Sequence, residues 1–178
     1  MKRRDFIKTV AAGVGGLSVL GARGQDAAAA RKPLRVALIG CGGYGTYAHI
    51  PAILGHGTTV ATVDGTHTHV PATGGERLVA LVDPDRRQID KAMARVKEVS
   101  PGTDPAAIRT FADYRKLFDE MGKELDAVII ATPTHHHAIP ALLAMRRGIH
   151  VYLEKPLAHT VAEVRLLTEE ARRCGVAT

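Results

Sequence analysis

Six residues constrain this chain most: Gly40-Cys41-Gly42-Gly43-Tyr44-Gly45. They fit G-x-G-x-x-G, a pattern that is weak alone and gains meaning from its surroundings. Leu34 to Ile39 precedes them as an apolar run broken only by Arg35, directly after Pro33, and reads as a buried strand. A helix is expected from about Tyr44 to Leu54. Gly40 permits the tight turn, Gly42 lets the backbone approach a pyrophosphate where any Cβ would intrude, and Gly45 lets the helix pack close on the strand. Gly43 and Tyr44 complete the loop, and the helix N-terminus offers N–H groups and partial positive charge to phosphate. The plainer alternative is a glycine-rich turn without a ligand.

The rest of the body alternates in the same way. Arg77 to Val82 reads as a second strand, ending at Asp83-Pro84, and Asp85 is placed to cap a helix running to about Val99. Ile108 to Phe111 is a short strand. Asp113 caps a helix through Met121, with Gly122 expected in the left-handed conformation that ends it. Asp126 to Ala131 is a strongly apolar strand, His136 to Arg147 a helix stopped by Gly148, and Ile149 to Leu153 a fifth strand. Thr160 caps a helix to Cys174, stopped by Gly175, and Val176 is expected to begin a sixth strand. Strands joined through helices of this length pair in parallel. The expected class is α/β, a doubly wound (Rossmann) mostly parallel sheet truncated at the sixth strand.

A dinucleotide in such a sheet needs a carboxylate for its ribose, usually ~20 residues after the glycine loop. Asp64 lies 19 residues beyond Gly45 and Asp83 lies 38 beyond. Spacing favours Asp64. Context favours Asp83, which ends the more apolar strand and runs straight into a helix, whereas Asp64 is followed by Gly65-Thr-His-Thr-His and reads as part of a hairpin-like insertion. Asp83 is the choice. A carboxylate there accepts from ribose hydroxyls and repels a 2′-phosphate, which favours NAD; Arg86 and Arg87 just beyond keep NADP open as the alternative.

A second constellation follows. Thr132-Pro133-Thr-His-His-His137 ends the fourth strand, and Gly148-Ile-His-Val-Tyr-Leu-Glu154-Lys155-Pro156 spans the fifth. Ligands in such sheets bind outside the carboxyl ends of the strands, so Thr132 and Lys155 can both face the site that Gly40 defines. Oxidising a hydroxyl requires a proton to leave as hydride does; an ammonium stabilises the developing alkoxide and a desolvated lysine can act as base. The plainer reading of Lys155 is a solvated lysine paired with Glu154.

With G-x-G-x-x-G, T-P-x-x-x-H and G-x-H-V-x-x-E-K-P on one chain, residues 34 to 178 resemble the N-terminal domain of the glucose–fructose oxidoreductase / inositol dehydrogenase / rhizopine-catabolism (Gfo/Idh/MocA) family. The resemblance implies that Lys155 lies near the nicotinamide and the reacting hydroxyl and assists proton transfer. It implies that Thr132 and Pro133 line the nicotinamide side, that His137 sits close by, and that Glu154 and Pro156 belong to the cofactor-binding set. It implies reversible hydride transfer between a sugar or polyol substrate and NAD. Some relatives instead use NAD in a transient oxidation that enables glycoside hydrolysis, and a non-catalytic dinucleotide-binding module is a third reading. The family carries a substrate-binding domain, with further acid/base residues, after this one. It is expected beyond Thr178, so the sequence is expected to be a fragment of a longer enzyme or a truncated relative. Family members commonly associate through that domain.

The net charge of +6 invites a nucleic-acid partner, so its location matters. Residues 1 to 31 hold six basic and two acidic side chains, a net +4, whereas residues 32 to 178 hold 18 basic against 16 acidic, a net +2. The nearly neutral body gives no support to a phosphate-backbone surface, and no nucleic acid is expected. The basic head Lys2-Arg3-Arg4, then Phe6-Ile7-Lys8 and the weakly apolar stretch Val10 to Ala22, resembles a twin-arginine signal, with cleavage after Gly24 or within Ala27 to Ala30. Five glycines, at 13, 15, 16, 21 and 24, argue against a helix of the mature protein, each costing about 1 kcal/mol in a helix interior. The expected organisation is a signal and linker over 1–31 and a dinucleotide-binding domain over 32–178, exported to the periplasm by the twin-arginine machinery. No apolar run reaches the ~18 residues of a membrane span. His135-His136-His137 cannot converge on one ion, being consecutive, and no metal is expected. Two cysteines, Cys41 and Cys174, build no disulfide framework and read as apolar fillers.

Overall fold

The computed structural model describes residues 32–56, 58–61, 67–70 and 75–178. The proposed signal over 1–31 and Asp64 lie outside the described residues.

Five strands form one parallel sheet: β1 (Arg35–Ile39), β4 (Arg77–Val82), β5 (Arg109–Phe111), β6 (Ala127–Ile130) and β7 (His150–Leu153), in the order β5-β4-β1-β6-β7. β2 (Thr58–Ala61) and β3 (His67–Val70) pair antiparallel with each other, the hairpin expected around Asp64. The helices are α1 (Ile50–Ile53), entered through a π-helical segment Gly45–His49, then α2 (Arg86–Val99), α3 (Tyr114–Met121), α4 (Ala138–Arg146) and α5 (Val161–Cys174).

The strands lack polar alternation because both faces of the sheet are covered. In β1, Val36 and Leu38 pack with Ile50 and Ile53 of α1 and Ala92 and Val96 of α2. Their neighbours Ala37 and Ile39 pack on the other face with Leu117 and Phe118 of α3, Ala141 and Ala144 of α4 and Leu167 of α5. β6 divides in the same way, Ala127 and Ile129 against Val128 and Ile130. Leu38, Leu81, Leu117 and Ile130 are fully buried, each worth about 1.5–3 kcal/mol of apolar transfer.

The caps follow the sequence. Asp85, Asp113 and Thr160 accept from the backbone N–H groups of Arg87, Arg115 and Glu163, and Glu163 returns a bond to Thr160 in a complete capping box. Gly175 closes α5 with φ +66°. Two expectations fail. Gly122 is right-handed (φ −53°), and glycine is needed there because a Cβ would meet the Phe118 carbonyl oxygen at 2.4 Å. Val176 begins no strand: Val151 donates to the Ala177 carbonyl at 3.0 Å, but Ala177 turns its own N–H onto Nδ1 of His150, and a single backbone bond does not make a ladder.

All five strands end on one edge, and the strand order reverses between β1 and β6, where Gly40 and Thr132 emerge. That crevice is where open α/β sheets place ligands.

Candidate functional site

Gly40 leaves β1 with φ +97°, and a Cβ there would lie 2.6 Å from the carbonyl carbon of Ala131 at the end of β6. A Cβ on Gly45 would lie 2.1 Å from the Gly40 carbonyl oxygen. These two glycines are demanded by the protein's own packing. Gly42 and Gly43 are not: an added Cβ at either meets no protein atom within 4 Å. Their open side is a cradle that side chains would fill, which fits the approach of a dinucleotide pyrophosphate. Thr46 closes the loop from within, its hydroxyl donating to the Cys41 carbonyl at 2.8 Å and its N–H to that of Gly42 at 2.9 Å. Cys41 is fully buried, and burial first, with Asp83 nearby second, pushes its thiol up to about 12, so it is a filler and no nucleophile.

Asp83 emerges at the end of β4 beside this loop. One carboxylate oxygen accepts the Cys41 N–H at 2.9 Å and the other accepts the Asp85 N–H at 2.9 Å. Both arginines that kept NADP open already have carboxylate partners. Arg86 donates to Asp90 at 2.9 Å, and Arg87 to Asp85, whose carboxyl is held below its usual range chiefly by that side-chain bond.

Across the crevice, the Thr132 hydroxyl oxygen is buried and has no hydrogen-bond partner among the described residues, an orphaned polar group that calls for one. Pro133 follows it, and its carbonyl accepts the His136 N–H at 2.8 Å. His137 sits beside Thr132, enclosed between two loops. It is 1% exposed, with Nε2 2.7 Å from the Thr132 carbonyl oxygen and Nδ1 2.9 Å from that of Pro156. Both ring nitrogens face backbone, so His137 ties two loops together instead of offering a nitrogen to a ligand. The neutral ring has one N–H and donates to one of these carbonyls; the doubly protonated ring donates to both.

Glu154 also faces inward. It is buried, and its Oε1 lies 2.9 Å from Nε2 of His49, a contact that becomes an ion pair only when the imidazole is protonated. Its Oε2 accepts the Lys155 backbone N–H at 3.1 Å. The carboxylate therefore turns inward, and the Lys155 ammonium is not its partner. Lys155 is exposed and holds Nζ 6.0 Å from the centre of the Tyr44 ring, a cation–π contact that brings the Glu-Lys-Pro turn over the glycine loop.

His49 and Tyr152 are site residues that sequence reasoning missed. The His49 ring meets those of Tyr44 and Tyr152 edge-on at 5.3 and 5.4 Å. Burial lowers the His49 imidazole below its ordinary value, and Glu154 offsets part of that. Burial first, and the charge of Glu154 next, push the Tyr152 phenol well above its usual value. A signal was present: His49 stands four residues after Gly45, one helical turn on, beside the apolar Ile50, Pro51 and Ile53. Among the described residues no group of three or more His, Cys, Asp or Glu side chains could hold a metal, and no helix is long and apolar enough to cross a membrane.

Known proteins resemble parts of this chain in sequence and fold. The chain is 36% identical over 101 residues to a glycosyl hydrolase family 109 protein of Shewanella sp. (strain MR-4), covering 56% of this chain and 21% of that protein. It is 32% identical over 126 residues to inositol 2-dehydrogenase 4 of Saccharopolyspora erythraea, covering 71% of this chain and 29% of that one. The crystal structure of myo-inositol 2-dehydrogenase from Lactobacillus plantarum superposes with a TM-score of 0.58 at 25% identity, over 80% of this chain and 34% of that one. The chain thus spans between a fifth and about a third of these relatives' lengths. Residues 34–178 match the model of the oxidoreductase family GFO_IDH_MocA, described as an NAD-binding Rossmann fold, and the chain belongs to that family.

Proposed function

We propose that this chain is the cofactor-binding domain of a longer, exported, NAD-dependent oxidoreductase acting on a hydroxyl of a sugar or polyol. The observation that carries the reading is the open cradle at Gly42 and Gly43, with Asp83 at one end and Lys155 overhanging from the other side. Asp83 would accept from the ribose hydroxyls, and the glycine-loop backbone and helix N-terminus would receive the pyrophosphate. Thr132 and Pro133 would border the nicotinamide. NAD supplies the hydride acceptor. The protein's part is to hold the reacting carbon against it and to manage the proton. The Lys155 ammonium stabilises a developing alkoxide, and in its neutral form Lys155 takes the hydroxyl proton. Pro156 follows Lys155 directly, and its carbonyl is held by His137, which fixes the turn that carries the amine. Export rests on Arg3-Arg4 with Phe6-Ile7-Lys8 at the head of the chain.

The identity to a family 109 glycosyl hydrolase favours a second reading, a glycosidase in which the oxidation is transient and reversed within one turnover. One experiment separates the two. The full-length protein is given NAD and a panel of free sugars, polyols and aryl glycosides. Net NADH accumulation supports the dehydrogenase, aglycone release without net NADH supports the hydrolase, and NAD binding without either leaves a binding module.

A further inference from the structure

We propose that His49 and Glu154 are positioning residues that fasten the Lys155 turn to the helix of the glycine loop, so that a dinucleotide seated on that loop and the Lys155 ammonium are held in one register; the proposal rests on the dinucleotide reading above. A single carboxylate makes the link. Oε1 of Glu154 meets Nε2 of His49 at 2.9 Å, and Oε2 accepts the N–H of Lys155 at 3.1 Å. The His49 side of the link belongs to the segment that carries Tyr44, whose ring lies 5.3 Å from that of His49 and 6.0 Å from Nζ of Lys155. Tyr44, His49, Glu154 and Lys155 thus close a ring of contacts joining the two elements.

Packing alone does not account for this pair. The two side chains are only 4% and 9% exposed, and His49 Nε2 and Glu154 Oε1 face each other at 2.9 Å, away from solvent. Replacing such a buried pair by apolar side chains of similar volume is often neutral or stabilising. What an apolar pair lacks is direction, and a catalytic amine must be held to within ~0.5 Å by the groups behind it.

The test uses the full chain with NADH as probe, following NADH fluorescence for affinity and acetic anhydride acylation of Lys155 by peptide mass spectrometry. Exposed Lys116 on α3 serves as the internal reference. In the wild type, saturating NADH should slow Lys155 acylation by about tenfold relative to Lys116, because the cofactor covers an amine held over its loop. His49→Asn, Glu154→Ala and Glu154→Leu break the link from either end, so one folded variant suffices. Each should bind NADH within about threefold of wild type while protection falls to about twofold or less. His49→Gln places an amide nitrogen near the Nε2 position and should keep most of the protection. Wild-type protection in Glu154→Leu would show that packing suffices and overturn the proposal, as would NADH binding without protection in the wild type. No NADH binding by the wild type would overturn the dinucleotide reading itself.

Discussion

The Asp83 carboxylate accepts the backbone N–H of Cys41 at 2.9 Å, so the residue proposed to receive a ribose is also a strut of the glycine loop. Removing it should have two effects. Asp83→Ala takes away a charged acceptor, worth about 1.5–3 kcal/mol or roughly 10- to 100-fold in NAD affinity. It also leaves the Cys41 N–H without that partner, so NADP affinity should fall too, by less, because the repulsion of a 2′-phosphate goes with the carboxylate. Calorimetric titration of both nucleotides into wild type, Asp83→Ala and Asp64→Ala decides the assignment. The same NAD-selective loss from Asp64→Ala would move the ribose carboxylate to Asp64.

The glycines separate into those the fold needs and those only a ligand needs. Gly42→Val adds a side chain where no protein atom lies within 4 Å of its Cβ, so the melting temperature should hold within about 2 °C while NADH binding is lost. Gly40→Ala must adopt φ +97° and push against Ala131 and Thr132, and should lose about 1–3 kcal/mol or more of stability. Thermal melting beside NADH fluorescence checks both. Retained NADH affinity in Gly42→Val would remove the pyrophosphate from this loop.

The legible parts of the molecule were those where local chemistry and fold agree. Asp85, Asp113 and Thr160 cap the helices they precede because a side-chain acceptor beside free N–H groups is a local matter. Runs such as Val128-Ile129-Ile130 announced strands buried on both faces. The site was legible as a set of motifs but not as partnerships. Glu154 and Lys155 are adjacent in sequence, which suggested that they pair, yet Glu154 turns to His49, 105 positions earlier in the chain. His137 reads as a ligand residue until two carbonyls, one from the loop after β7, are seen to enclose it. Gly122 shows the same limit on a smaller scale: its need is close contact with Phe118, and spacing alone suggested handedness.

The contact between α4 and α5 carries a pH dependence. Glu170 of α5 is 8% exposed and accepts from Arg173 on its own helix and from Nε of Arg146 on α4, the latter at 2.7 Å. Those two guanidinium groups, Arg173 first, hold its carboxyl at about 2 instead of the usual 4.5. Because the folded value lies below the unfolded one, the stabilisation is present above pH 4.5 and is lost as pH falls from 4.5 toward 2. Glu170→Gln should therefore melt below wild type at pH 6, and the gap should shrink at pH 3. An equal gap at both values would show that the charge of Glu170 is not what joins the helices.

Lys155 offers the most direct test of the chemistry. Its amine is exposed and reaches the glycine loop only through the Tyr44 ring, 6.0 Å from Nζ, a contact weak enough to lose without undoing the cradle. In the full-length enzyme, Lys155→Ala should leave NADH affinity within about threefold while lowering turnover by about 100-fold or more, the usual scale for a lost acid or base. Lys155→Arg divides the two roles of the amine. A guanidinium keeps the cation that stabilises an alkoxide but does not give up its proton near neutral pH. If the amine serves only as a cation, Arg should recover much of the turnover; if it removes the hydroxyl proton, Arg should be about as slow as Ala. Steady-state rates for the three proteins on one substrate, with NADH affinity measured beside them, read the outcome. Wild-type turnover in Lys155→Ala would exclude Lys155 from the reaction and leave the proton to a residue beyond those described.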